Sequence, residues 1–294
     1  MTTIKQLRGY YWQHNRLIGN LGDTLVPILL KALGYKLVTQ AATGAQVLNP
    51  ESLLLTIGSL LTEHDLGLIR GPVEVWGCGW KGMPLPPSLL ARLRICAVRG
   101  PQTVAGLGLS PDTPLGDPAL LLPRLTTLHR PPHNRTIVIP HFYRSRLMPV
   151  GQRCRLTGCD ELISPLVIQP QGLGRRGWII QAVGLAKSWL RLGLRPFTPW
   201  GAVERIAGAA FVLTGSLHGA ILAQAYGVPW AAYEDGYVNA PPKWLDWAAY
   251  LGIRMEYVTT LAAGQQWWQS QGQRGRVRDL DTLLRAFPYP LTNE

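Results

Sequence analysis

Phe211-Val-Leu-Thr-Gly-Ser-Leu-His-Gly-Ala-Ile-Leu-Ala-Gln-Ala-Tyr-Gly-Val-Pro229 is the stretch that decides the fold. Residues 211–214 run without polar alternation, the mark of a strand buried on both faces of a parallel sheet. Gly215 ends the run, Ser216-Leu217-His218-Gly219 turns the chain, and a helix follows to Tyr226-Gly227 before Pro229. His218 therefore stands beside the first turn of a helix, at the carboxyl end of a strand. Open α/β sheets bind ligands at that edge. A helix N-terminus, with unpaired N–H groups and partial positive charge, suits an anion. A titratable ring beside an anion site is a candidate for chemistry.

Outward from this unit the pattern repeats. Apolar runs at 52–57, 73–76 and 94–98 end at Gly58-Ser59, Gly77-Cys78-Gly79 and Arg99-Gly100, and helices are predicted over 23–33 and 101–107. Residues 123–135 are rich in Pro and polar residues without periodicity, which suits a linker. Strands resume at 136–139, 165–168, 211–214 and 230–233, with a short helix at 203–209 feeding the third. Alternating strands and helices predict an α/β chain of two Rossmann-like parallel-sheet domains, 1–125 and 126–294, with a cleft between their carboxyl edges.

Composition narrows the partners. Twenty-nine Lys and Arg against 17 Asp and Glu give a net charge of +12, which predicts an anionic partner. No nucleic-acid-binding motif accompanies it, so no nucleic acid is expected. With 47% hydrophobic and 16% charged residues the chain is globular rather than disordered. No run approaches the ~18–20 apolar residues of a membrane span, and Met1–Lys5 lacks a signal-peptide pattern, so a cytoplasmic location is expected. Cys78, Cys96, Cys154 and Cys159 lack the spacing of a metal site, and no metal is expected. Residues 172–197 carry Arg175, Arg176, Lys187, Arg191 and Arg195 without an acid, beside Trp178, Ile179, Val183, Leu185 and Leu190. That segment fits either a surface helix packed on the core or one lying in an anionic membrane interface.

Several side chains are candidates for the cleft. Gly19-Asn20-Leu21-Gly22-Asp23 leads into a helix; Asn20 and Asp23 suit helix entry, and Gly22 permits close backbone approach. The loop is either a cap alone or a partner of the His218 loop, with Asp23 acting on a hydroxyl. Arg99, at a strand's end, is placed to fork a carboxylate or phosphate, or else to form a surface salt bridge. His141 follows the 136–139 strand as a structural or acidic group. Asp117, in Gly116-Asp117-Pro118, reads as a structural turn residue. Lys243 lies among aromatics in Lys243-Trp244-Leu245-Asp246-Trp247. Trp76, Trp80, Trp230 and Tyr233 fall near strand ends, where they serve either to stack on a sugar or to pack the core.

Asn20-Leu-Gly-Asp23, Gly58-Ser-Leu60, Trp76-Gly-Cys-Gly79, Val98-Arg-Gly-Pro-Gln-Thr103, Gly116-Asp-Pro118, Pro140-His141, Thr214-Gly-Ser-Leu-His-Gly219 and Lys243-Trp-Leu-Asp-Trp247, in that order and spacing, resemble the polysaccharide pyruvyl transferase family. The likeness covers roughly residues 15 to 252. The resemblance implies a GT-B-like arrangement of the two domains. It implies transfer of the enolpyruvyl unit of phosphoenolpyruvate onto two hydroxyls of an exopolysaccharide or cell-wall glycan precursor as a ketal, releasing phosphate. Phosphoenolpyruvate is then a co-substrate, no cofactor is needed, and the acceptor is a glycan or lipid-linked oligosaccharide. On this reading His218 is the general acid and Asp23 the base. Arg99, Asn20, Gly22, Ser216, Leu217, Gly219, His141 and Lys243 bind the donor, and Trp76, Trp80, Trp230 and Tyr233 the acceptor. Some relatives carry Arg-Leu-His where this chain has Ser216-Leu217-His218, which leaves open which cation holds the donor's carboxylate; Lys243 and Arg144 are candidates to substitute. A peripheral contact of residues 172–197 with the inner face of the plasma membrane would suit a lipid-linked acceptor. The alternatives are a GT-B glycosyltransferase using a nucleotide sugar and a glycan-binding protein with a decayed site.

Overall fold

A computed structural model of the chain describes residues 5–12, 18–39, 52–129, 131–144, 147–168, 190, 192–195 and 197–291. Most of the basic 172–197 segment lies outside them. The first sheet contains β1 (Lys5–Tyr10), β3 (Tyr35–Thr39), β4 (Leu53–Leu55), β5 (Val73–Cys78) and β6 (Leu93–Val98), ordered β3-β1-β4-β5-β6. The second contains β7 (Thr136–Ile139), β8 (Glu161–Leu162), β10 (Phe211–Thr214), β11 (Trp230–Tyr233) and β12 (Tyr257–Val258), ordered β12-β11-β10-β7-β8. Every pairing within both sheets is parallel. The expected pair of parallel sheets is present.

Counted within its own sheet, each set of strands runs second, first, third, fourth, fifth. That is the flavodoxin-like order, whose ligand crevice opens where the first and third strands diverge. The crevices therefore fall between β1 and β4 in one half, and between β7 and β10 in the other. β10 explains the apolar run that decided the fold: it lies between β7 and β11, and all four residues are buried. The helix Leu217–Ala225 is apolar nearly all round because it is buried nearly all round, against the 118–121 turn on one side and the 199–207 helix on another.

Two segments depart from the two-domain division. The 165–168 run, expected as a parallel strand, forms β9 (Leu166–Ile168), which pairs antiparallel with β2 (Ile18–Asn20) in a small sheet linking the halves. The last helix, Leu280–Arg285, leaves the second sheet and packs on the first. Leu283 accepts the indole N–H of Trp76 at 2.8 Å through its carbonyl, and Phe287 meets the Trp76 ring at 4.8 Å.

The halves are also joined by a buried ion pair. Arg99, at the end of β6, has no exposed surface and donates from Nε to Asp246 on the Pro241–Leu251 helix at 3.2 Å. Asp246 accepts the N–H and hydroxyl of Thr103 as well, at 3.0 and 2.8 Å, which holds the start of the Pro101–Leu107 helix. Gly79 packs against the guanidinium so closely that a Cβ there would stand 2.2 Å from Arg99 Cζ. Removing one partner of such a pair strands a buried charge. Asp246→Ala is therefore expected to cost about 3–5 kcal/mol in urea unfolding. The double variant Arg99→Met/Asp246→Leu should recover part of that loss.

Candidate functional site

The two crevices open into one cavity of about 190 Å³. Trp12 enters it just beyond β1, and Gly58, Ser59 and Leu60 beyond β4. His141, Phe142 and Tyr143 enter beyond β7, and Ser216, Leu217 and His218 beyond β10. Both switch points thus supply both walls. Asn20, Asp23, Asp65, Lys81, Asn239 and Lys243 complete the lining.

His218 is buried and rests on the N-terminal loop. A Cβ at Gly22 would lie 1.9 Å from its Nδ1, so only glycine lets the 20–23 turn approach the ring. Asn20 donates from Nδ2 to Asp23 Oδ2 at 2.7 Å and fixes that carboxylate. Burial raises the pKa of Asp23, against smaller opposing effects of Asn20, His218 and Lys81. A carboxylate made more basic in this way suits proton abstraction. Beside it, Asp65 accepts the Thr62 hydroxyl at 2.6 Å and lies 3.8 Å from Lys81 Nζ.

Lys243 donates to Asn239 Oδ1 at 2.9 Å. Desolvation first, then the charges of Arg99 and Lys81, lower its pKa to about 7. Burial, reinforced by Lys243, lowers His141 to about 3, so its imidazole is neutral at neutral pH. Its Nδ1 accepts the Tyr143 N–H at 3.4 Å. His141 therefore offers the cavity a neutral ring and no cationic charge.

The structure brings Asn20, Asp23, His141, Ser216, Leu217, His218 and Lys243 together, with Gly22 directly under the His218 ring. It does not bring Arg99 to the wall. The guanidinium is committed to Asp246, to the Trp80 carbonyl at 3.4 Å and to Ser59 Oγ at 2.7 Å, so it acts on the cavity through Ser59. Gly219 is a helix–strand contact, where a Cβ would meet Thr214 Oγ1 at 2.4 Å. Arg144, the other candidate for the missing cation, is paired with Asp235 at 3.3 Å.

None of the four aromatic candidates for an acceptor, Trp76, Trp80, Trp230 and Tyr233, lines this cavity. Trp76 and Trp230 have no exposed surface and lie in the core, the latter bonded to Gln224 at 2.9 Å. Tyr233 is buried and accepts from Arg153 at 3.2 Å. Trp80 packs over Gly106 of the 101–107 helix. Trp12, Phe142 and Tyr143 are the cavity's aromatic wall, with the rings of Trp12 and Phe142 5.5 Å apart and those of Phe142 and Tyr143 3.9 Å apart. Lys81 and Ser59 were also missed. Ser59 sat in a motif already singled out, and Lys81 follows the β5 strand end without any distinguishing pattern. Among the described residues no cluster of His, Cys, Asp and Glu could hold a metal ion, and no helix is long and apolar enough to cross a membrane.

The polysaccharide pyruvyl transferase family model matches residues 20–235. The succinoglycan biosynthesis protein ExoV of Rhizobium meliloti (strain 1021) is 28% identical over 250 residues, 84% of this chain and 66% of that protein. Among solved structures, the E. coli heptosyltransferase WaaC aligns over 74% of this chain and 79% of its own, with 14% identity and a TM-score of 0.31. AviGT4, a glycosyltransferase involved in avilamycin A biosynthesis, aligns over 96% and 91%, with 10% identity and a TM-score of 0.39. Such scores are too low to carry the fold, which rests on the topology described above.

The Gly22–His218 contact generates a stability test. Gly22→Ala is expected to lower stability by about 1–3 kcal/mol through overpacking and to shift the His218 side-chain NMR signals. Gly67→Ala, where an added Cβ meets nothing within 4 Å, should do neither.

Proposed function

The chain belongs to the polysaccharide pyruvyl transferase family, and on that premise we propose that it moves the enolpyruvyl unit of phosphoenolpyruvate onto a glycan precursor as a ketal. One observation carries the reading: an imidazole, a basic carboxylate, a helix N-terminus and two lysines share a small cavity at both switch points. A cavity of about 190 Å³ is below the ~300–1,000 Å³ of drug-sized pockets. It suits a compact anion better than a nucleotide sugar.

Lys243 and Lys81 offset the donor's charge, together with the N-terminus of the Leu217–Ala225 helix. Lys243 replaces the cation that Ser216 lacks. His218 gives a proton to the methylene carbon, and the double-bond electrons form the new C–H bond. The first acceptor hydroxyl adds to the cationic carbon and loses its proton to Asp23. The carbon–oxygen bond to phosphate then breaks, phosphate leaves with that electron pair, and the second hydroxyl closes the ketal. Of the two hydroxyl protons, one replaces that given by His218 and the other leaves on phosphate.

The acceptor is read as an exopolysaccharide or cell-wall precursor, lipid-linked at the cytoplasmic face of the membrane. The basic 172–197 segment is its proposed anionic-membrane contact; deletion of that segment without change in membrane partition would contradict this.

Phosphate release from phosphoenolpyruvate, measured across lipid-linked oligosaccharides, tests the central reading. His218→Ala should lose about 10²–10⁴ of the rate; an unaltered rate contradicts it, as does nucleotide release from a sugar donor. Lys243 adds a pH signature. Because its pKa is about 7, it is charged below that pH and neutral above it. Phosphoenolpyruvate affinity, followed by calorimetry, should weaken as pH rises through 7. Lys243→Arg, protonated throughout, should flatten that decline.

A further inference from the structure

Asp117 was legible in the sequence only as a turn residue, and half of its carboxylate does that work. It caps the 3-10 turn Pro118–Leu121, where Oδ1 accepts the Ala119 N–H at 3.0 Å. The other oxygen does not. Asp117 Oδ2 is buried without a hydrogen-bond partner, in a residue with no exposed surface. His218 Nε2 is also buried without a partner, and the two atoms face one another at 3.5 Å. Buried polar groups are rarely left unpaired, because each then bears its full desolvation penalty. One proton on Nε2, directed at Oδ2, satisfies both after a closure of a few tenths of an ångström.

The ring's other nitrogen is not the one that faces Asp117: Nδ1 is the ring atom nearest Gly22, and Nε2 the one opposite Oδ2. His218 lines the cavity and its Nε2 is buried, so a proton held on Nε2 leaves Nδ1 as the nitrogen available for exchange. A carboxylate behind an imidazole selects its tautomer and offsets the charge of the imidazolium, without itself being protonated.

We propose that Asp117 is the positioning residue for His218: it holds Nε2 protonated and makes Nδ1 the nitrogen that delivers the proton. The catalytic consequence rests on His218 being the general acid of pyruvyl transfer. In that step the Nδ1–H bond of the imidazolium breaks as the donor's methylene carbon gains its hydrogen. The N–H electron pair stays on Nδ1, the ring keeps its Nε2 proton against Asp117, and the carboxylate remains ionised.

The test is long-range ¹H–¹⁵N NMR on histidine-labelled protein at mildly alkaline pH, with His218 assigned by the signal lost in His218→Gln. The wild type should show the Nε2-protonated tautomer. Asp117→Asn keeps the turn, because its carbonyl must accept from Ala119, and so turns its amide N–H toward Nε2. That should drive the proton to Nδ1 and lower phosphate release by about 10²–10⁴, with the KM for phosphoenolpyruvate within about threefold. An Nδ1-protonated wild type would overturn the proposal, and so would a folded Asp117→Asn protein that keeps the Nε2 tautomer. The wild-type spectrum decides even where the variant does not fold. It needs neither donor nor acceptor, so its failure is distinct from a failure of the pyruvyl-transfer reading.

Discussion

A guanidinium without exposed surface has to be neutralised where it stands, and Arg99 is neutralised from the other half of the molecule. Asp246 belongs to the helix that follows β11, while Arg99 ends β6, so the pair fixes one sheet's carboxyl edge against the other. Thr103 and Ser59 extend the network to a helix start and to the cavity wall. Ion pairs of this kind contribute little net stability compared with apolar residues of similar shape. Their geometric demand is strict, because a displaced partner leaves a charge unpaired in the interior.

That constraint sets the chemistry of the cleft. Each sheet alone has a crevice at its switch point, and neither crevice alone carries an acid, a base and cations. Held edge to edge, β1 and β4 contribute Trp12 and Ser59, while β7 and β10 contribute His141 and His218. The 20–23 turn passes under the imidazole, and Gly22 makes that passage possible. The resulting cavity mixes two carboxylates with two lysines, and burial shifts Asp23 upward and Lys243 downward. Both shifts favour groups that exchange protons or gain charge as a ligand arrives.

Much of this was legible in the sequence. The strands 136–139, 211–214 and 230–233 and the helix 101–107 have the predicted limits, because continuous apolar runs and a Pro at the helix start are strong local signals. β1 was missed, since Lys5-Gln-Leu-Arg-Gly-Tyr10 has few apolar residues to set a period. The meeting of the Asn20–Asp23 turn with His218 was one of the two readings open to that loop, the other being a helix cap alone. Long-range commitments were not legible. Nothing near Arg99 announces Asp246, which lies 147 residues away, so the sequence offers an anion fork or a surface salt bridge and no sign of an interior ion pair. Trp76 and Trp230 sit at strand positions where core and cleft look alike in one dimension, and packing against Leu283 and Gln224 places them in the core. Asp117 hid its second role for the same reason, since a turn motif accounts for only one of its oxygens.

The most direct measurement is a crystal structure of the protein soaked with phosphoenolpyruvate. The donor is expected between the Ser216–His218 turn and Lys243, with its methylene carbon toward His218. Phosphoenolpyruvate bound elsewhere, or bound in the cavity with its methylene turned away from His218, would contradict it.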